Sequence, residues 1–357
     1  FRLNGEPVAA WGELSGFWPC SDGWVRTHAN YPHHRSALLS ALELPDDTGA
    51  DEFMVALHSM NAVDVQEKVV AAGGVATVVR TAEWAEHPHA RRISELPVIE
   101  MTSLGDTEHA VLSDTTIDAP LAGVRVLDLT RVIAGPVAAR TLGLWGADVL
   151  RIDSPRHPEL GWQHLDTGAG KRSALLDLDD TADHASFEEL LKTADVVLTA
   201  YRPGSLERFG LSPATLAARR PGIIVGRLSA WGTAGPLADR RGFDSIVQAA
   251  TGIALAEGDG AGTPGALPAQ ALDHAAGYLL AAAVTTAVRR RVDAGHSWLL
   301  EVSLARHAPT ASAGFTPTVV TSAGVTSTLP APAYAGSPGR FSAPAVEWGS
   351  SEPEWIS

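Results

Sequence analysis

A chain of 357 residues that is 45% hydrophobic, with a mean hydropathy of +0.04, carries enough apolar side chains for a large core and more than one domain. Its formal charge of −14 sets the average surface against nucleic acid and anionic membranes. One cysteine, Cys20, excludes a disulfide framework and a zinc cluster; the longest apolar run, 275–288, is too short and too Ala-rich for a membrane span, so a cytoplasmic protein is expected.

Phe1 is not an initiating residue, so a segment upstream is expected. Over 1–103 the pattern predicts a small α+β domain: a strand at 23–28, a helix at 62–72 closed by Gly73 and Gly74, a strand at 75–80 and a helix at 81–92. Residues 104–119 read as a linker. Over 120–308 strands and helices alternate, with strands at 124–129, 148–152, 195–198, 223–228 and 298–304 and helices at 137–144 and 186–192. That alternation predicts an α/β fold with a doubly wound, Rossmann-like parallel sheet. The tail, 309–357, is rich in Pro, Ala, Ser, Thr and Gly and reads as an extended wrap.

Asp273 is the odd residue in this pattern. It stands at the head of the buried helix signalled by 275–288, where the expected role is an N-cap. Unpaired N–H groups and the helix dipole would keep a carboxylate there ionised, a state that suits a nucleophile. A second oddity is local positive charge on an acidic protein. Arg131, Arg151, Arg156, Lys171, Arg172, Arg208, Arg240 and Arg241 lie beside glycines or at the ends of apolar runs, as a phosphorylated small molecule would require. The loop Thr130 to Pro136, followed by Asp153, imitates a dinucleotide-binding turn. The spaced glycines are absent, however, and Pro136 has no N–H to aim at a pyrophosphate. His33-His34 and His87-Pro88-His89 lack a third ligand at metal spacing, so no metal is expected.

These pieces fall in a familiar order. Pro120 to Thr130, Ala134-Gly135-Pro136, Leu144 to Asp153, Gly170-Lys171-Arg172-Ser173, Tyr201-Arg202-Pro203-Gly204, Gly232-Thr233-Ala234-Gly235-Pro236, Gly242-Phe243-Asp244 and finally the Asp273 segment resemble the family III CoA-transferases, the carnitine-CoA and formyl-CoA transferase group. The resemblance runs from about Pro120 to Arg306. The segment 24–92 resembles the family's small domain, here placed before the catalytic sheet instead of after it.

The resemblance implies transfer of CoA from an acyl-CoA to a free carboxylic acid through an aspartyl-CoA thioester on Asp273. Acyl-CoA and a small acid would be the only ligands, with no tightly bound cofactor. It implies Asp244 as an orienting group and Gly232 and Gly235 as oxyanion donors. Val132 and Ala134 would lie near the thiol arm, Arg156 or Arg151 at the adenine or phosphate end, Tyr201 beside the adenine, and Arg208 and Arg241 at phosphates. Lys171 would stand near the CoA site, in a turn. It implies a homodimer in which the small domain of one chain closes over the other's Asp273. An α-methylacyl-CoA racemase is the first alternative, disfavoured because Phe243 stands where those enzymes carry a histidine, and phenylalanine moves no proton. An inactive CoA-binding partner or scaffold is the second.

Overall fold

The computed structural model describes residues 1–80, 82–110, 115–308, 319–322, 325–328, 338 and 341–356. Two short strands, β1 (Arg2–Leu3) and β2 (Glu6–Pro7), open the chain. The small domain contains β3 (Phe17–Cys20), β4 (Gly23–Thr27), α1 (Pro32–Ala41), α2 (Ala50–His58), α3 (Ala62–Ala71), β5 (Ala76–Val78) and α4 (Pro88–Ser94). Then come β6 (Glu100–Gly105), β7 (Arg125–Asp128), α5 (Ala134–Leu144), β8 (Asp148–Asp153), α6 (Gly161–Thr167), β9 (Arg172–Leu175), α7 (Thr181–Leu191) and β10 (Val196–Thr199). The large unit continues through α8 (Pro213–Arg219), β11 (Ile224–Ser229), α9 (Asp244–Ala250), α10 (Ile253–Ala256), α11 (Ala271–Ala294), β12 (Ser297–Ser303) and α12 (Leu304–His307). Strands β13 (Val319–Ser322) and β14 (Val325–Thr328) form a hairpin that pairs with β1.

The large sheet has the order β6-β12-β11-β10-β7-β8-β9 and is parallel except for β6. Successive strand residues serve opposite faces. Val126, Val149, Val196 and Ile224 join the core shared with α5 and α11, whereas Leu127, Leu150, Val197 and Val225 join the core shared with α7 and α8. Burial on both faces is why these strands read as continuous apolar runs. Strand β6 is the exception. Its sequence is mostly polar because it lies on the sheet's edge, and it pairs antiparallel with β12. The boundary expected at 103/104 therefore falls inside a strand of the large sheet.

The chain steps from β7 to β8 to β9 in one direction, then returns to place β10 on the other side of β7. Loops after β7 and β10 consequently diverge, opening a crevice at the carboxyl ends of the strands. Helix α11 lies against α5 over this sheet. A Cβ added to Gly277 would meet the Ala134 carbonyl oxygen at 2.6 Å and Val137 Cβ at 2.8 Å, so only glycine permits the approach. By length and composition alone α11 could cross a membrane; here one face of it is packed on α5 and the sheet.

The small domain folds around its own core, with Leu38, Leu39, Phe53, Leu57, Val65 and Val69 packed against β3 and β4. At the other end of the chain, residues 341–356 cover the free edge of β9. Ser351 N donates to Ser173 O at 2.7 Å and Gly349 N to Ser173 Oγ at 2.9 Å. Of the wrap expected over 309–357, residues 309–318, 323–324, 329–337, 339–340 and 357 lie outside the described residues.

Candidate functional site

Asp273 stands in the first turn of α11, third from its start, and Gln270 occupies the N-cap position without a side-chain bond. The cap expected of Asp273 is supplied from another helix. Asp244, the first residue of α9, accepts the Asp273 N–H on Oδ2 at 2.9 Å, and Gln248 donates to its Oδ1. Gln248 is itself held by the Leu267 N–H at 3.1 Å. Both carboxyl groups are buried, Asp273 6% and Asp244 0% exposed. Helical spacing puts Asp273 one turn before Gly277 on the same face of α11, the face that packs on α5.

Burial corrects the expectation that Asp273 is ionised. Loss of water raises its carboxyl well above the usual range, and the charge of Asp244 raises it further. Asp244 is lifted by burial to about 6, restrained by the N–H groups of Asp273 and Leu272, by Gln248 and by Arg26. The two acids form a dyad in which Asp244 takes the negative charge first and Asp273 keeps the proton.

The loop after β7 is fixed by charges beneath it. Asp128 Oδ1 accepts the Thr130 N–H at 3.0 Å, while Oδ2 receives Lys171 Nζ at 2.9 Å. Lys171 also donates to the Pro136 carbonyl at 3.2 Å, and burial lowers its ammonium to about 8 against the pull of Asp128. Val132 has φ +69°, an uncommon conformation for a β-branched residue, and its N–H donates to Glu159 Oε2 at 3.0 Å. Glu159 also receives Tyr31 Oη from the small domain at 2.8 Å and Arg151 Nη2 at 3.2 Å. Burial opposes its ionisation, but Arg131 and Arg151 outweigh that and hold its carboxyl low. Arg151 is closed further by Asp153 at 2.6 and 3.0 Å.

Lys171 and Arg151, two of the expected CoA-binding cations, are buried and held in internal pairs, Lys171 with Asp128 and Arg151 with Asp153 and Glu159. Arg156 and Arg208 are exposed, and both spend their charge on Asp179; Arg156 also pairs with Asp177 at 2.6 Å. Arg241 has no carboxylate partner among the described residues and donates to Gly73 O at 2.8 Å. Burial lowers its proton affinity, and neighbouring Arg202 lowers it further. The exposed side chain of Arg202 makes no hydrogen bond or ion pair among the described residues. His33, at the start of α1, is lowered by burial and then by His157, Arg241 and Arg131. Arg202 and Tyr201 lie in the loop that follows β10, and Tyr201 is exposed.

Gly232 and Gly235 have φ +86° and +90°. Their loop is gripped by His89 of α4, whose Nε2 donates to Trp231 O at 2.8 Å and whose Nδ1 accepts the Leu237 N–H at 3.2 Å. A Cβ at Gly235 would stand 2.7 Å from that Nδ1. No hydrogen bond joins the loop to Asp273 among the described residues.

The small domain that meets α9 belongs to the same chain, where a partner's was expected. Arg80 N donates to Ala249 O at 2.9 Å, and His28 lies flat on Phe243. Arg26, His28, Glu159, His89 and Arg202 were not singled out as site residues from sequence. Arg26 and His28 carried one signal, two polar residues alternating in an apolar strand.

A family model described as CoA-transferase family III matches residues 121–336. A protein named as a probable fatty acyl-CoA transferase of Mycobacterium tuberculosis is 36% identical over 198 residues, 52% of this chain and 50% of that protein. The beta subunit of a succinyl-CoA–L-malate CoA-transferase from Chloroflexus aurantiacus is 35% identical, over 54% of this chain and 51% of its own. The chain spans about half the length of these curated relatives. A crystal structure of a CAIB/BAIF family protein from Brucella suis aligns with TM-score 0.50 at 26% identity, covering 54% of this chain and 55% of that one.

Proposed function

Because the chain belongs to CoA-transferase family III, we propose that it moves CoA from an acyl-CoA to a free carboxylic acid, with Asp273 as the nucleophile. The supporting observation is a buried carboxyl at the head of α11, in a residue whose N–H is bonded to Asp244, on the helix that packs through Gly277 against Ala134 and Val137. Ionised Asp273 attacks the thioester carbonyl, the C–S bond breaks, and CoA leaves as thiolate beside an aspartyl–acyl anhydride. The thiolate attacks the Asp273 carbonyl carbon and expels the first acid as carboxylate. The acceptor carboxylate then attacks the resulting aspartyl-CoA thioester, and the released thiolate takes the new acyl group, restoring Asp273. No ATP is consumed, since the carboxyl stays activated throughout.

In this reading the phosphates of CoA lie at Arg202 and Arg241, cations without carboxylate partners among the described residues, and the thiol arm runs past Val132 and Ala134 toward Asp273. Asp244 keeps Asp273 protonated until substrate arrives, and by holding the Asp273 N–H it sets the direction of the side chain. Trapping decides the matter. After incubation with acyl-CoA alone, peptide mass mapping should find CoA on the peptide containing Asp273, and exchange that proceeds without this adduct would sink the mechanism.

A further inference from the structure

Three stretches of chain that are far apart in sequence meet at Glu159, in the loop between β8 and α6. Its side chain is 1% exposed and accepts hydrogen bonds on both oxygens. Oε1 takes the Tyr31 hydroxyl of the small domain at 2.8 Å and the Leu160 N–H at 3.0 Å, while Oε2 takes the Val132 N–H at 3.0 Å and Arg151 Nη2 at 3.2 Å. Those four bonds fill the acceptor positions of a carboxylate. Glu159 therefore acts on the protein and not on a ligand.

Neutralising Arg151 does not account for it, because Asp153 already grips that guanidinium at 2.6 and 3.0 Å. What distinguishes Glu159 is the residue whose N–H it holds. Val132 has φ +69°, a conformation that is costly for a β-branched side chain and persists only where the surroundings impose it. The preceding residue is tied to the same place: Arg131 Nη2 donates to Pro158 O at 2.9 Å, and its guanidinium lies 5.6 Å from the centre of the Tyr31 ring. Tyr31, at the N-cap position of α1, is thus linked to the loop after β7 by its hydroxyl, through Glu159, and by its ring. The same ring has its centroid 6.4 Å from that of Phe243, the residue before Asp244.

We propose that Glu159 is a positioning residue for the thiol arm of CoA: it holds Val132 at positive φ, and its bond from the Tyr31 hydroxyl makes that hold depend on the seating of the small domain. The inference rests on the reading that the arm passes Val132 and Ala134, and adds the residue that shapes its track. Without Glu159 the peptide between Arg131 and Val132 is free to turn, Val132 relaxes to negative φ, and the entry to α5 shifts with it. The nucleotide end of CoA, placed at Arg202 and Arg241, is untouched by this change.

Calorimetry on the whole chain with two probes separates the arm from the nucleotide: CoA itself, and 3′-phosphoadenosine 5′-diphosphate, which is CoA without the arm. The unaltered protein should bind CoA about tenfold or more tightly than the nucleotide. Glu159→Gln, which leaves one acceptor oxygen where there were two, should bring CoA to within about twofold of the nucleotide, with nucleotide affinity unchanged. Tyr31→Phe should cut the preference for CoA about threefold. Glycine adopts positive φ without strain, so adding Val132→Gly to Glu159→Gln should recover about threefold of the lost preference. A role confined to holding the fold would weaken both probes together and would not be repaired by glycine; either result overturns the proposal. Equal affinity for the two probes in the unaltered protein overturns it as well, as does an undiminished preference in Tyr31→Phe, a test that decides even if Glu159→Gln fails to fold. Neither probe carries an acyl group, so failure of the Asp273 chemistry appears separately, as absence of CoA on the Asp273 peptide with the preference and its loss intact.

Discussion

Two groups of buried charge lie at the carboxyl edge of the same sheet, and burial does not tell them apart. Beneath the loop after β7, Lys171, Asp128, Arg151 and Asp153 are 4, 0, 1 and 3% exposed; around the head of α11, Asp273, Asp244 and Arg26 are 6, 0 and 7% exposed. Pairing separates them. In the first group each charge has an opposite partner at hydrogen-bonding distance. In the second, Asp244 accepts the Asp273 N–H and its charge opposes ionisation of Asp273, and the cation that acts on Asp244 has no ion pair among the described residues. An unpaired buried ion costs several kcal/mol, so the first group serves the fold, and the second is kept at the expense of stability, as strained groups are at functional sites.

The sharpest way to break this comparison is to remove one charge from each group. Asp273→Ala should lower exchange by on the order of a thousandfold or more, with CoA affinity within about twofold and no loss of stability. Lys171→Met should do the reverse, costing about 3–5 kcal/mol in urea unfolding because Asp128 is left buried and alone. The double variant Lys171→Met/Asp128→Asn should recover part of that, since a neutral amide still accepts from Thr130. If Asp273→Ala destabilises as much as Lys171→Met, the distinction between the two groups fails.

The dyad gives a pH test of the same contrast. Exchange needs ionised Asp273, so kcat/KM should rise with pH through the upper apparent pKa of the pair. Asp244→Asn removes the like charge and keeps an acceptor for the Asp273 N–H. The rising limb should move toward acid, and the rate at its foot should grow about tenfold for each pH unit the limb travels. Stability has the opposite sign. The folded-state pKa of Asp273 lies above its unfolded value, so its contribution is fully present below about pH 4 and is lost as pH rises toward the folded value. Asp273→Asn should therefore raise Tm by a few degrees at pH 7 and by nothing at pH 4.

Much of the framework was legible in the sequence, and the limits are physical. Strands β7, β8, β10 and β11 are buried on both faces, and their apolar runs announce them. Strand β9 was hidden because Gly170 and Lys171 before it read as a turn, and β6 because an edge strand needs few apolar residues. Asp273 was conspicuous by standing at the head of an apolar helix. Its ionisation was misjudged because the helix dipole is a local property, whereas the opposing charge comes from Asp244, 29 residues away. The same limit applies to Lys171, whose partner Asp128 is 43 residues distant. Composition shows that charges are present, and only the fold shows which of them are spent.

The arginines allow the smallest and most discriminating test of that last point. Four arginines lie at the ends of the strands, and charge counting treats them alike. Arg156 and Arg208 share Asp179 in the structure, and so a phosphate placed there would have to displace a carboxylate already bound. Arg202 and Arg241 have no carboxylate to displace among the described residues. Arg202→Ala and Arg241→Ala should each raise the KM for acyl-CoA about tenfold, the loss of one charge-assisted bond, with kcat unchanged. Arg156→Ala and Arg208→Ala should change it by less than about twofold, as exposed ion pairs contribute little. Raising the salt concentration should narrow the gap, because exposed cations at the crevice are screened while buried ones are not. Equal effects from all four would mean that pairing does not decide which charges meet the ligand.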